Sequence, residues 1–123
     1  MLVAGSRSWV DLAPIQRELR ALPKGTILIH GACRGADNTA DYVGRRLGMI
    51  VRPYPANWGL YARGAGPVRN AQMLKEEHPD KDGLFIDLCL AFHKDVDLGT
   101  GTADMKRRVL AADPPIEFRW IMH

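Results

Sequence analysis

Two arginines and two aspartates stand where a charged ligand could be held. Arg7 follows a Gly5-Ser6 turn, and Arg69-Asn70 opens a helical stretch behind a loop carrying Trp58 and Tyr61. A guanidinium offers a fork of donors that grips a phosphate with two bonds at once. Facing solvent instead, either arginine is an ordinary surface residue, and spacing alone does not choose. Asp37 and Asp104 each fall in the first turn of an expected helix. There a carboxylate either complements the helix dipole or takes a task, such as contacting sugar hydroxyls or steadying a cationic transition state. Trp58 and Tyr61 are read either as stacking platforms for a base or as a lid over the core.

Three short tips would carry these groups. They read Gly5-Ser6-Arg7-Ser8-Trp9, Gly31-Ala32-Cys33-Arg34-Gly35-Ala36-Asp37 and Gly99-Thr100-Gly101-Thr102. Each follows an apolar strand and precedes a helix, so its backbone N–H groups are expected to face an anion at a helix start. Gly31 and Gly35, with Ala32 between them, would let backbone approach a ligand closely. None of the tips is a common nucleotide motif. The second lacks the GxGxxG spacing, and the third lacks the Gly-Lys-Ser/Thr ending of a P-loop. His30 and His93 end strands at the same edge. With no acidic partner apparent in the sequence, both are read as satisfied polar groups and kept out of the site. Lys106-Arg107-Arg108 is read as a solvated helix face.

The elements behind the tips alternate. Strands are expected at Leu2-Val3-Ala4, residues 26–30, 49–54, within 84–92, and at 116–120. Leu12, Ile15, Leu19 and Leu22 mark one helix by their spacing, Ala36, Ala40, Val43 and Leu47 a second, and Met105, Val109 and Ala112 the last. Pro67 suits the first turn of the helix through Arg69 and Met73. Residues 56–66 are expected as a loop, and residues 75–83 as a charged connection. Alternation with short links implies an α/β fold, a doubly wound three-layer domain on a mainly parallel five-stranded sheet. Ligands of such sheets bind beyond the carboxyl ends of the strands, where strand order reverses.

The 123 residues are read as one domain, and the net charge of +3 fits an anionic metabolite as well as nucleic acid. Few aromatics stud the chain, which argues against a single-strand nucleic-acid groove. Its two cysteines form no CxxC or metal-ligand cluster, so no metal or resident cofactor is expected and a reducing cytoplasm fits. No stretch is apolar enough for a membrane span.

Together these motifs resemble a known family. Gly5-Ser6-Arg7, the His-Gly-Ala-x-x-Gly-Ala-Asp run from His30 to Asp37, Gly-Pro-x-Arg-Asn-Ala-x-Met from Gly66 to Met73, and Gly-Thr-x-x-Met from Gly101 to Met105 look like the YspA (cpYpsA-related) branch of the SLOG superfamily. The resemblance runs from Val3 to about Ile116. It implies a Rossmann-like domain that binds a nucleotide-derived ligand such as ADP-ribose or a nucleoside phosphate, as a sensor or sequestering protein. Ligand contacts are expected from the tips, at Gly5, Ser6, Arg7, Gly31, Ala32, Gly35, Asp37, Gly99, Thr100, Gly101 and Thr102, and from Trp58 and Asn70. Related SLOG proteins often dimerise, and the apolar face of the last strand would permit a homodimer. A more distant similarity to the LOG phosphoribohydrolases places Arg69 on their catalytic arginine and Asp104 on the first of their two glutamates. Met105 then stands where the second carboxylate would be, and Leu98 replaces a glycine. The alternative reading is an N-glycosidase using Arg69 and Asp104, and the departures favour binding over it. Nucleic-acid binding, as in the SLOG relative DprA, ranks third.

Overall fold

The computed structural model describes residues 1–77, 86–93 and 100–121, apart from the side chains of Arg63 and Thr100. Five strands, β1 (Leu2–Gly5), β2 (Ile27–His30), β3 (Ile50–Pro53), β4 (Leu88–Phe92) and β5 (Glu117–Ile121), form a wholly parallel sheet in the order β3-β2-β1-β4-β5. Helices α1 (Leu12–Arg20), α2 (Ala36–Arg46), α4 (Ala65–Glu76) and α5 (Thr100–Leu110) cover it, with a short α3 (Trp58–Tyr61) before α4. This is the Rossmann-like three-layer α/β arrangement that the alternation implies.

The period-2 pleat divides the core. Val3, Leu28, Leu90 and Phe92 point to one face, where Trp9, Ile15, Leu19, Ala40 and Val43 pack on them. Leu2, Ile29 and Cys89 point to the other, against Met73, Met105 and Val109. Strands buried on both faces read as continuous apolar runs, which is why β2 and β4 stand out in the sequence. Asp11 opens α1 by accepting from the Ala13 N–H at 3.2 Å.

Residues 56–66 differ from the expected loop. Asn57 Oδ1 accepts from the Leu60 N–H at 3.0 Å, and this cap turns residues 58–61 into α3, followed by a 3-10 turn over Ala62–Gly64. The 75–83 connection, the start of the fourth strand segment, Leu98 and Gly99 lie wholly or partly outside the described residues. Among the described residues no helix is long and apolar enough to cross a membrane.

Candidate functional site

Strand order reverses between β1 and β4, whose ends are in register at Gly5 and Phe92. A cleft of about 400 Å³ opens there, and Gly5, Ser6, Arg7, Gly31, Asp37, Arg69, Asn70, Gly101 and Thr102 all line it. Residues scattered across about four-fifths of the chain therefore share one cleft, because each lies at the end of a strand, on the link that follows it, or in the first turns of a helix.

Arg69 sits in the first half of α4 and is only 6% exposed. Its Nη1 donates to the Gly31 carbonyl and approaches Cys33 Sγ at 3.5 Å, while Nε donates to Asn70 Oδ1 at 2.8 Å. Nη2 has no partner, and no carboxylate lies within ion-pair distance, among the described residues. A buried charge without a counter-ion is costly, so the arrangement favours an incoming anion. Gly31 makes the position available: a Cβ there would overlap the Arg69 guanidinium. That glycine admits a side chain of the protein itself, rather than the ligand the sequence suggests.

The second tip uses its donors internally, which corrects the expectation of a donor-rich cradle. Asp37 Oδ2 accepts the N–H groups of Gly31 at 3.1 Å and Cys33 at 3.3 Å, and His30 Nδ1 accepts that of Ala32 at 2.9 Å. The first N–H of α2, on Ala36, donates to the Ser6 carbonyl at 3.0 Å. Gly35, at φ +81°, lies so close to Ser6 and Arg7 that a side chain would collide with their backbone. Asp37 lines the cleft and is buried, and burial pushes its carboxyl above the ordinary range against the pull of His30, the two N–H bonds and Arg69.

The first tip is likewise tied down. The Ser6 N–H donates to the Phe92 carbonyl at 2.9 Å, and Ser6 Oγ hydrogen-bonds Ser8 Oγ at 2.8 Å. Gly5 lacks room for a Cβ against the Phe92 carbonyl and Ala36, so it serves the junction of β1, β4 and α2. Arg7 is exposed, lines the cleft, and lies over the Trp58 ring at 5.4 Å from its centroid. Trp58, half-exposed on α3, is not among the lining residues and stands beside the cleft through this contact.

At the third tip Gly101 and Thr102 line the cleft and Gly99 lies outside the described residues. Asp104 is not among the lining residues. Its Oδ1 accepts from Arg107 at 2.5 Å, and its Oδ2 accepts from Arg108 at 2.9 Å and Asn70 at 3.0 Å. Burial raises the Asp104 carboxyl, but these bonds outweigh it and hold the group below the ordinary carboxylate range. Arg107 and Arg108 are thus Asp104's partners, not merely a solvated face. Lys106 lies over the rings of Phe118 and Trp120, at 5.7 and 5.8 Å, on the apolar face of β5.

Two residues that sequence reasoning left out, His93 and Cys33, also line the cleft. The signal for His93 was its place at the end of β4. His30, by contrast, is a satisfied polar group, though with an acidic partner the spacing hid: Nε2 pairs with Asp41 Oδ2 at 2.6 Å, one helix away. Among the described residues no group of His, Cys, Asp and Glu is arranged to hold a metal ion.

No protein-family model matches the chain, and no solved structure matches it. The Gene 61 protein of Mycobacterium phage D29 is 32% identical over 127 residues, a span of 96% of this chain and 94% of the phage protein.

Proposed function

This chain belongs to the family of the phage Gene 61 protein, and we propose that it binds a nucleotide-derived anion, ADP-ribose-like or a nucleoside phosphate, as a cytoplasmic sensor or sequestering protein. One observation carries the reading: the Arg69 guanidinium is buried in the cleft at the strand-order reversal with no carboxylate within ion-pair distance among the described residues. Arg7 adds a second cation at the mouth and Trp58 an aromatic face beside it. The resemblance to the YspA branch of SLOG proteins supplies the nucleotide class. Both cysteines are free thiols, which suits a reducing compartment. Calorimetry with ADP-ribose, NAD, AMP and cyclic relatives tests the reading: micromolar binding of one of them is expected, and no binding to any overturns it. A homodimer, carried by the resemblance alone, is checked by sedimentation velocity.

A second reading, phosphoribohydrolysis, draws on one contact. Asn70 joins Arg69 to Asp104 by accepting from the first and donating to the second. The engaged state of the Asp104 carboxylate supports binding over cleavage, because an oxocarbenium-like transition state needs a carboxylate beside the sugar. Release of free base from AMP, abolished in Asp104→Asn, would establish cleavage; its absence dismisses it.

A further inference from the structure

Among the described residues, one buried side-chain oxygen or nitrogen lacks a hydrogen-bond partner: Asp37 Oδ1. Four other buried polar side chains, by contrast, have partners. Asn70, His30, Glu77 and Asp104 are all engaged by neighbours. Buried acceptors are so seldom left unmade that an exception calls for a cause. This one belongs to a residue that is 94% buried (6% exposed) and lines the same cleft as Arg69.

Gly31 fixes how close the two groups are. Its N–H donates to Asp37 Oδ2, and its carbonyl accepts from Arg69 Nη1. Anion grip and orphan acceptor are thus one residue apart, so a molecule using both must carry a donor a few bonds from its negative charge. A second cation is a poor candidate, because Arg69 would repel it. A neutral hydroxyl suits the acceptor, and a sugar phosphate carries hydroxyls at that reach, whereas the amino group of a base lies farther off. We infer that Asp37 Oδ1 accepts a ribose hydroxyl of the ligand, making Asp37 the residue by which the cleft selects ribonucleotides over their deoxy counterparts. The inference rests on the nucleotide-binding reading above and names the sugar that this reading leaves open.

Calorimetry of the full chain with AMP, 2′-deoxy-AMP and 3′-deoxy-AMP, on the natural protein and on Asp37→Asn, decides it. AMP is expected to bind at least about tenfold tighter than one of the deoxy compounds, since a site built around a hydroxyl rejects the analogue that lacks it. In Asp37→Asn that preference should shrink below about threefold, because the amide oxygen keeps the two backbone N–H bonds and an NH2 group, which cannot accept, takes the place of Oδ1. Equal binding of the three nucleotides, or an undiminished preference in the variant, overturns the inference while leaving nucleotide binding in place. Failure of all three to bind overturns the inference, and the nucleotide reading falls with it only if ADP-ribose, NAD and the cyclic nucleotides fail to bind as well. Thermal unfolding checks that the variant folds; if it does not, the three-nucleotide comparison on the natural protein decides alone.

Discussion

Near the start of α4, Arg69 is buried against a backbone carbonyl, an amide and a thiol; at the helix end, Glu77 is buried against a guanidinium and a phenol. Both side chains are almost wholly withdrawn from water, at 6% and 4% exposure. Glu77 has its counter-charge: Arg52 Nη1 donates to both carboxylate oxygens, at 3.0 and 2.8 Å, and Tyr54 Oη donates at 2.6 Å. Burial and the adjoining Glu77 push the Tyr54 phenol well above its ordinary value, so it stays a donor. Arg69 hydrogen-bonds neutral groups only, and Asp37, the cleft acid that feels its charge, is not within ion-pair distance. One end of the helix closes its electrostatics within the protein, and the other leaves them to be closed from outside. Burial of a charge alone therefore does not mark a site. Burial without a counter-charge, in a cleft, does.

The contrast can be broken at either end. The largest effect is expected from Arg69→Ala, which should weaken AMP binding by at least about 100-fold in calorimetry, with Arg69→Lys about tenfold weaker because the fork is lost. Glu77→Gln should do the opposite, lowering stability by about 2–3 kcal/mol in urea unfolding while leaving ligand affinity unchanged. If Arg69→Ala proves the more destabilising of the two and binding survives, the two ends are alike and the comparison fails. Asp104→Asn should cost about 1–2 kcal/mol of stability and alter AMP affinity by less than about threefold. Because the folded-state value of Asp104 lies below its ordinary one, its contribution is present above that ordinary value and lost as pH falls through the folded one. Asp37 slopes the other way. The fold retains a proton there that the unfolded chain has released, so stability declines as pH rises from the ordinary aspartate value through the raised one. Asp37→Asn should flatten that decline in a pH series of unfolding midpoints. The smallest effect is expected from Trp58→Ala, a loss of about 1 kcal/mol in AMP binding with inorganic phosphate unaffected.

The sheet and its covering helices were legible because β2, β4 and the stripes of α1 and α2 each obey a single period. The α3 turn was not, since it depends on one side-chain cap from Asn57 inside an otherwise loop-like composition. The site divided in the same way. Arg7, Asp37, Gly101 and Thr102 lie on tips that topology put at the carboxyl edge, Arg69 was singled out by the resemblance, and all five line the cleft. What spacing could not convey was direction. Asp104, one helical step from residues that face the cleft, turns to Arg107, Arg108 and Asn70 instead. Backbone donors are equally hidden, because whether a tip presents its N–H groups outward depends on side chains such as Asp37 and His30 that fold back onto them.

Gly31 carries one last consequence, and it concerns descent. A Cβ at that position would occupy the space of the Arg69 guanidinium, 38 residues farther along the chain. Neither position can then change freely while the other stays. A relative that acquires a side chain at position 31 must release the arginine from its seat, and one that loses the arginine no longer needs the glycine. The pair should drift together or not at all, so each homologous phage sequence is itself a trial of whether its cleft still holds a charge in waiting.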